Sequence, residues 1–167
     1  MTEPFADQDT QPRAGDDAAH MRLALEEART AAQHGDVPIG AVVVRGGSVI
    51  ARAGNRREAD GDPTAHAEVI AMRAAAAALG RWRLLDCALY VTVEPCPMCA
   101  GAAVLARMPL VVFAAPDEKA GAVVSVAQLF EERRLNHHPK WRMGVLRAES
   151  EALLRDFFAM HRDVPSA

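Results

Sequence analysis

The stretch Ala88-Leu89-Tyr90-Val91-Thr92-Val93-Glu94-Pro95-Cys96-Pro97-Met98-Cys99 decides the fold. Its first six residues are a short, apolar, β-branched run, which predicts a buried strand over 88–93. Composition then turns helical over 97–107, and the run Leu110-Val111-Val112-Phe113 is a second buried strand. Upstream, the alanine-rich segment 65–79 follows Pro63 and Thr64 and closes at Gly80, so it reads as a helix with Thr64 as its N-cap. Residues 39–44 and 49–53 flank Gly46-Gly47-Ser48 as the arms of a hairpin. A polar loop over 55–62 joins the hairpin to that helix. Before it, Met21, Leu25, Ala28 and Ala32 recur at helical spacing, with Asp16 and Asp17 as capping candidates and Gly35 as a stop. Downstream come a short helix over 123–132, a last strand over 142–146 and an amphipathic helix over 149–162 with Leu153, Leu154, Phe157 and Phe158 on its buried side. Five strands and about five helices in this order predict an α/β chain, a three-layer α/β/α sandwich with a central five-stranded mixed sheet.

Length and composition agree with one domain. The chain has 167 residues, 50% of them hydrophobic, enough for a core without staples. Residues 1–17 hold most of a local acidic excess, Glu3, Asp7, Asp9, Asp16 and Asp17 against Arg13 alone, and read as a disordered acidic tail ahead of a single domain over 18–167. The formal charge of −3 resides largely in that tail, so the remainder is close to neutral and compatible with a polyanionic partner. Nearly all basic residues are arginine, which suits contacts to phosphate and base faces, though codon bias explains it equally well. Three cysteines, no basic start followed by an apolar stretch, and no apolar run near ~18 residues predict a cytoplasmic protein with reduced thiols and no membrane contact.

Two motifs carry chemistry. Pro95-Cys96-Pro97-Met98-Cys99 stands where a strand hands over to a helix, and its chance expectation in this composition is on the order of 0.002. Its alternatives are a redox pair and a metal site. His66-Ala67-Glu68 opens the alanine-rich helix, and alone it is a weak signal, expected by chance roughly 0.4 times. Together the motifs are stronger. One imidazole and two thiolates make three ligands of a tetrahedron with the fourth position left for water, the pattern of catalytic zinc. Three-residue spacing at a helix start puts Cys96 and Cys99 on one side, where free N–H groups favour thiolate. Glu68, two residues past His66, points elsewhere and suits a proton carrier for a water whose pKa the metal lowers from about 15.7 toward about 7.

These motifs match the H-x-E and P-C-x-x-C signature of zinc nucleobase deaminases. The blocks 36–42, Asn55-Arg56, 62–68, 89–102, 117–121 and Leu135-Asn136-His137 occur in order and resemble those of the bacterial tRNA-specific adenosine deaminases. The resemblance implies a cytidine deaminase-like fold, one Zn2+ per subunit held by His66, Cys96 and Cys99, and a homodimer. It implies conversion of adenosine to inosine at the wobble position of a tRNA anticodon stem-loop, by attack of metal-activated water on C6 with Glu68 as proton shuttle. It further implies that Asn55 hydrogen-bonds the flipped nucleoside, that Pro38, Ile39, Ala67 and Val93 line its pocket, and that Asp117, Lys119 and Phe158 meet the RNA. A carboxylate at Asp117 would accept a ribose 2′-OH and so prefer RNA.

Simpler readings stand beside these. Asn55 after Gly54 suits a turn, Cys87 a small buried hydrophobe, and His137-His138 a loop with RNA or packing contacts. Ala114 and Val124 stand where the family pattern suggests glycine, and Ser150 where it suggests cysteine. Two other functions fit the same motifs: a deaminase of a free base or nucleoside of the guanine or cytosine type, and a non-catalytic, zinc-stabilised RNA-binding module.

Overall fold

The computed structural model describes residues 16–162. The elements run α1 (Asp17–Gln33), β1 (Gly40–Arg45), β2 (Ser48–Gly54), α2 (Arg57–Asp60), α3 (Ala67–Leu79), β3 (Cys87–Val93), α4 (Pro97–Leu105), β4 (Leu110–Ala115), a 3-10 turn (Leu129–Glu131), β5 (Lys140–Met143) and α5 (Arg147–His161). The sheet order is β2-β1-β3-β4-β5. The hairpin pairs antiparallel, β1 pairs antiparallel with β3, and β3-β4 and β4-β5 are parallel. The expected five-stranded mixed sheet is therefore present.

Alternation along the strands builds the layers. Ala41, Val43, Leu89, Val91, Val111 and Phe113 face α3 and α4, while Val42, Val44, Ala88, Tyr90, Leu110 and Val112 face the other way, toward Met21 and Ala24 of α1. Strands β3 and β4 are buried along their whole length because helices cover both faces. Gly40 lets α1 sit directly on the sheet: a Cβ there would lie 1.9 Å from the Ala24 carbonyl oxygen. Asp17 ties the layers together. Its buried carboxylate accepts the Tyr90 hydroxyl at 2.8 Å and the Arg142 guanidinium fork at 2.7 and 2.8 Å, joining α1, β3 and β5. Asp17 thus opens α1, not the tail; residues 1–15 of that expected tail lie outside the described residues.

Five other expectations are corrected. The segment 123–132 contains only the 3-10 turn, because the backbone N–H groups of Val123, Val124 and Ser125 all point at the Glu94 carboxylate. Thr64 is not the N-cap of α3, a place taken by His66; Thr64 instead donates both its backbone N–H and its hydroxyl to Asp62. The loop over 55–62 contains the one-turn helix α2, whose start is capped by Asp36 accepting the N–H groups of Glu58 and Ala59 at 2.8 and 3.1 Å. On α5, Phe157 is buried but Phe158 is 50% exposed and meets Phe157 edge-on. The last strand starts and ends earlier than expected, at Lys140–Met143.

Candidate metal centre

Two helix starts meet at one end of the sheet. His66 is the residue before α3, and Cys96 is the residue before α4, with extended backbone at both. Pro97 is tolerated at the first position of α4, where its missing N–H would have had no helical partner. Cys99 follows in the first turn. The His66 Nδ1 atom lies 3.6 Å from Cys96 Sγ and 3.5 Å from Cys99 Sγ, and the three ligand atoms all fall within 4.8 Å of one another. Zinc bonds of about 2.05 Å to nitrogen and 2.3 Å to sulfur, at the tetrahedral angle, separate two such ligands by about 3.6 Å. The donor set and its spacing fit a zinc ion with three protein ligands.

Charge at the site follows from burial and from the hydrogen bonds among its own groups. The Cys96 thiol is held down to about 4, by its hydrogen bond with Cys99 and then by the His66 imidazole, which together outweigh burial. The Cys99 thiol is pushed up by Cys96 and by burial, so a cation entering the site displaces its proton. Glu68, in the first turn of α3, is 3% exposed, and burial raises its carboxyl to about 7. A carboxyl titrating near neutrality can both take up and release a proton under physiological conditions.

The remaining expected site residues occupy the same end of the sheet in part. Gly40 pairs with Gly54, and the Asn55 N–H donates to Ile39 O at 2.9 Å, so Pro38, Ile39 and Asn55 form one edge of this region. Ala67 is buried at the start of α3, and Val93 pairs with Ala115 at the far ends of β3 and β4. Asp117 lies just beyond β4. Its Oδ1 accepts the N–H groups of Lys119 and Ala120 at 3.0 and 3.2 Å, so the carboxylate shapes its own turn while Lys119 is exposed. Phe158 sits on the exposed side of α5. The histidine pair makes packing contacts: His137 Nε2 meets Met108 O at 2.7 Å and His138 Nδ1 meets Phe130 O at 3.1 Å. Cys87 is buried, and burial pushes its thiol up to about 11. Ser150 donates its hydroxyl to Thr92 O at 2.5 Å, fastening α5 to β3.

Two carboxylates near this end escaped sequence reasoning. Asp36 is fully buried under α2, and Glu94, 2% exposed between the apolar β3 and the cysteine motif, gathers the backbone of 117–125. The only signal was a charged residue within or beside an apolar stretch.

Comparison with known proteins agrees with this chemistry. The MafB19-like deaminase family matches residues 15–162. The chain is 48% identical over 142 residues to the tRNA-specific adenosine deaminase of Bacillus subtilis, covering 85% of this chain and 88% of that protein. A structure solved in work on A-to-I editing by tRNA:A34 deaminases at the wobble position of transfer RNA superposes with a TM-score of 0.79 at 46% identity, over 81% of this chain and 99% of the other. The guanine deaminase of Nitrosomonas europaea superposes with a TM-score of 0.72 at 27% identity, over 95% and 94% of the two chains.

Proposed function

The chain belongs to the MafB19-like deaminases and to the bacterial tRNA-specific adenosine deaminases, and from that premise we propose that it converts adenosine to inosine at the wobble position of a tRNA anticodon stem-loop. The observation that carries the chemistry is the convergence of His66 Nδ1 with both sulfurs at 3.5 and 3.6 Å beside the buried Glu68. Similarity to tRNA-acting relatives across 85% of the chain carries the substrate.

His66, Cys96 and Cys99 would hold one zinc ion per subunit. Bound there, zinc would supply the acidification of a water and a positive charge beside the reacting carbon. Glu68 takes one proton from the attacking water and delivers it to purine N1, while the water oxygen forms its bond to the neighbouring C6. Glu68 then takes the second proton from the oxygen now bonded to C6 and passes it to the exocyclic nitrogen, so that the C6–N bond breaks, ammonia leaves and a C6 carbonyl remains. Water is consumed, ammonia is released, and Glu68 returns to its starting state. Asn55 orients the flipped base from the edge that Ile39 fixes, and Pro38, Ile39, Ala67 and Val93 give the pocket apolar walls that keep bulk water from it. Asp117, Lys119 and Phe158 meet the RNA around the pocket, Asp117 through a ribose 2′-OH. An Asp117→Asn variant is expected to narrow the preference for RNA over DNA stem-loops; equal relative rates before and after the change would remove that role.

The same zinc deaminase domain, over 18–167, is proposed to act as a cytoplasmic homodimer. An apolar groove between α3 and α4 supports this: Trp82 and Leu105, 55% and 70% exposed, flank Met72, Ala76, Leu84 and Ala102. No helix among the described residues is long and apolar enough to cross a membrane. Incubation with a stem-loop bearing a wobble adenosine, followed by nucleoside analysis for inosine, tests the activity. Guanine supplied in parallel tests the free-base alternative that the Nitrosomonas likeness raises.

A further inference from the structure

We infer that Glu94 is a positioning residue whose carboxylate sets the shape of the 117–125 segment at the mouth of the metal centre, and through it the grip on RNA. The inference rests on the proposed RNA contacts of Asp117 and Lys119. Glu94 stands at the end of β3, directly before Pro95-Cys96, and its own N–H donates to Ala115 O at 2.8 Å. Its Oε1 accepts three successive backbone N–H groups, from Val123, Val124 and Ser125, at 3.0, 2.7 and 3.0 Å. Its Oε2 accepts the Asp117 N–H at 2.9 Å and the Ser125 hydroxyl. Consecutive amides converging on one anion form a nest.

Among the described residues, the other side-chain acceptor for backbone N–H groups of this segment is Asp117, whose Oδ1 takes those of Lys119 and Ala120. Backbone bonds also tie the segment, from Gly121 N to Asp117 O and from Ala122 N to Pro95 O, each at 2.8 Å, from Val126 N and Ala127 N to Gly121 O at 2.9 and 3.2 Å, and from Leu129 N to Ala122 O at 2.9 Å. Gly121 passes so close that a Cβ there would lie 2.3 Å from the carboxylate. One side chain therefore connects the strand that delivers the metal-binding cysteines to both ends of the turn carrying Asp117 and Lys119. Motion of that turn would change where the RNA-facing groups stand while leaving His66, Cys96, Cys99 and Glu68 in place.

A Glu94→Gln variant keeps the size and replaces one acceptor oxygen by a donor, which opposes the N–H groups facing it. In the zinc-loaded full chain, zinc content is expected to stay at one per subunit. Amide exchange at Val123, Val124 and Ser125 should accelerate on the order of tenfold. The KM for a wobble-adenosine stem-loop should rise on the order of tenfold, with kcat within about threefold. A Ser125→Ala variant, which removes one donor and no charge, should move KM the same way by less. Unchanged exchange and KM in the folded Glu94→Gln protein would overturn the inference, as would a kcat loss that tracks zinc loss. If wild-type protein makes no inosine from the stem-loop, the substrate reading fails, while the exchange measurement still decides whether Glu94 holds the segment.

Discussion

Glu68 lies two residues beyond His66, inside the first turn of α3, where burial brings its carboxyl to about 7. In the proposed mechanism it moves protons without ligating the metal. A Glu68→Ala variant is therefore expected to retain its zinc, measured by atomic absorption, while turnover falls by about 10²- to 10⁴-fold. Residual activity above a tenth of wild type would assign the proton transfer elsewhere. The convergence of His66, Cys96 and Cys99, a group that could hold a metal ion, was legible in the sequence because imidazole and thiol at these spacings have few other uses. Glu94 and Asp36 were not legible, since a carboxylate that binds distant backbone leaves no periodic or spaced signature. Glu94 gives a pH test. Burial alone would raise its carboxyl, but the bonds from Ser125 and from the backbone of Val124 and Asp117 outweigh it and hold it below the ordinary 4.5. A depressed carboxyl contributes stability that is present above its unfolded pKa and lost as pH falls through the lower folded one. Wild type should thus exceed Glu94→Gln in urea midpoint at neutral pH, with the gap closing below about pH 4.5. A gap independent of pH would show that charge is not what Glu94 contributes.

At the scale of elements, the two helix starts matter more than the helices' lengths. The strand and helix order from β1 to β4 followed from hydrophobic runs and glycine turns, because both faces of the sheet are covered and local pattern and tertiary burial agree there. The reading failed where a distant group overrode local preference. Residues 123–125 turn toward a carboxylate 29 to 31 residues upstream, and α2 depends on a cap 22 residues upstream. Phe158 failed for another reason: helical spacing locates a face but not how much of it a neighbour covers. Packing of α1 supplies a stability prediction. Gly40→Ala would push a methyl into the backbone of α1 at Ala24 and is expected to cost about 3 kcal/mol in chemical unfolding. A cost within about 0.5 kcal/mol would mean that α1 stands farther from the sheet than described.

For the whole molecule, an α/β/α sandwich brings the ends of β3 and β4, the start of β1 and the starts of two helices to a common place, and the chemistry collects there. The opposite end of the sheet carries the β1-β2 turn at Gly46 and Gly47. The groove at Trp82 and Leu105 belongs to the α3-α4 layer, and a Leu105→Glu variant is expected to shift the sedimenting species from dimer to monomer at micromolar concentration. An unchanged sedimentation coefficient would remove that groove from the subunit interface. Whether the wobble adenosine of a tRNA is the substrate is decided by nucleoside analysis of an anticodon stem-loop after incubation with the zinc-loaded protein. Inosine should appear when adenosine occupies the wobble position and disappear when that adenosine is moved along the loop. Ammonia released from free guanine with no inosine in either stem-loop would contradict the account.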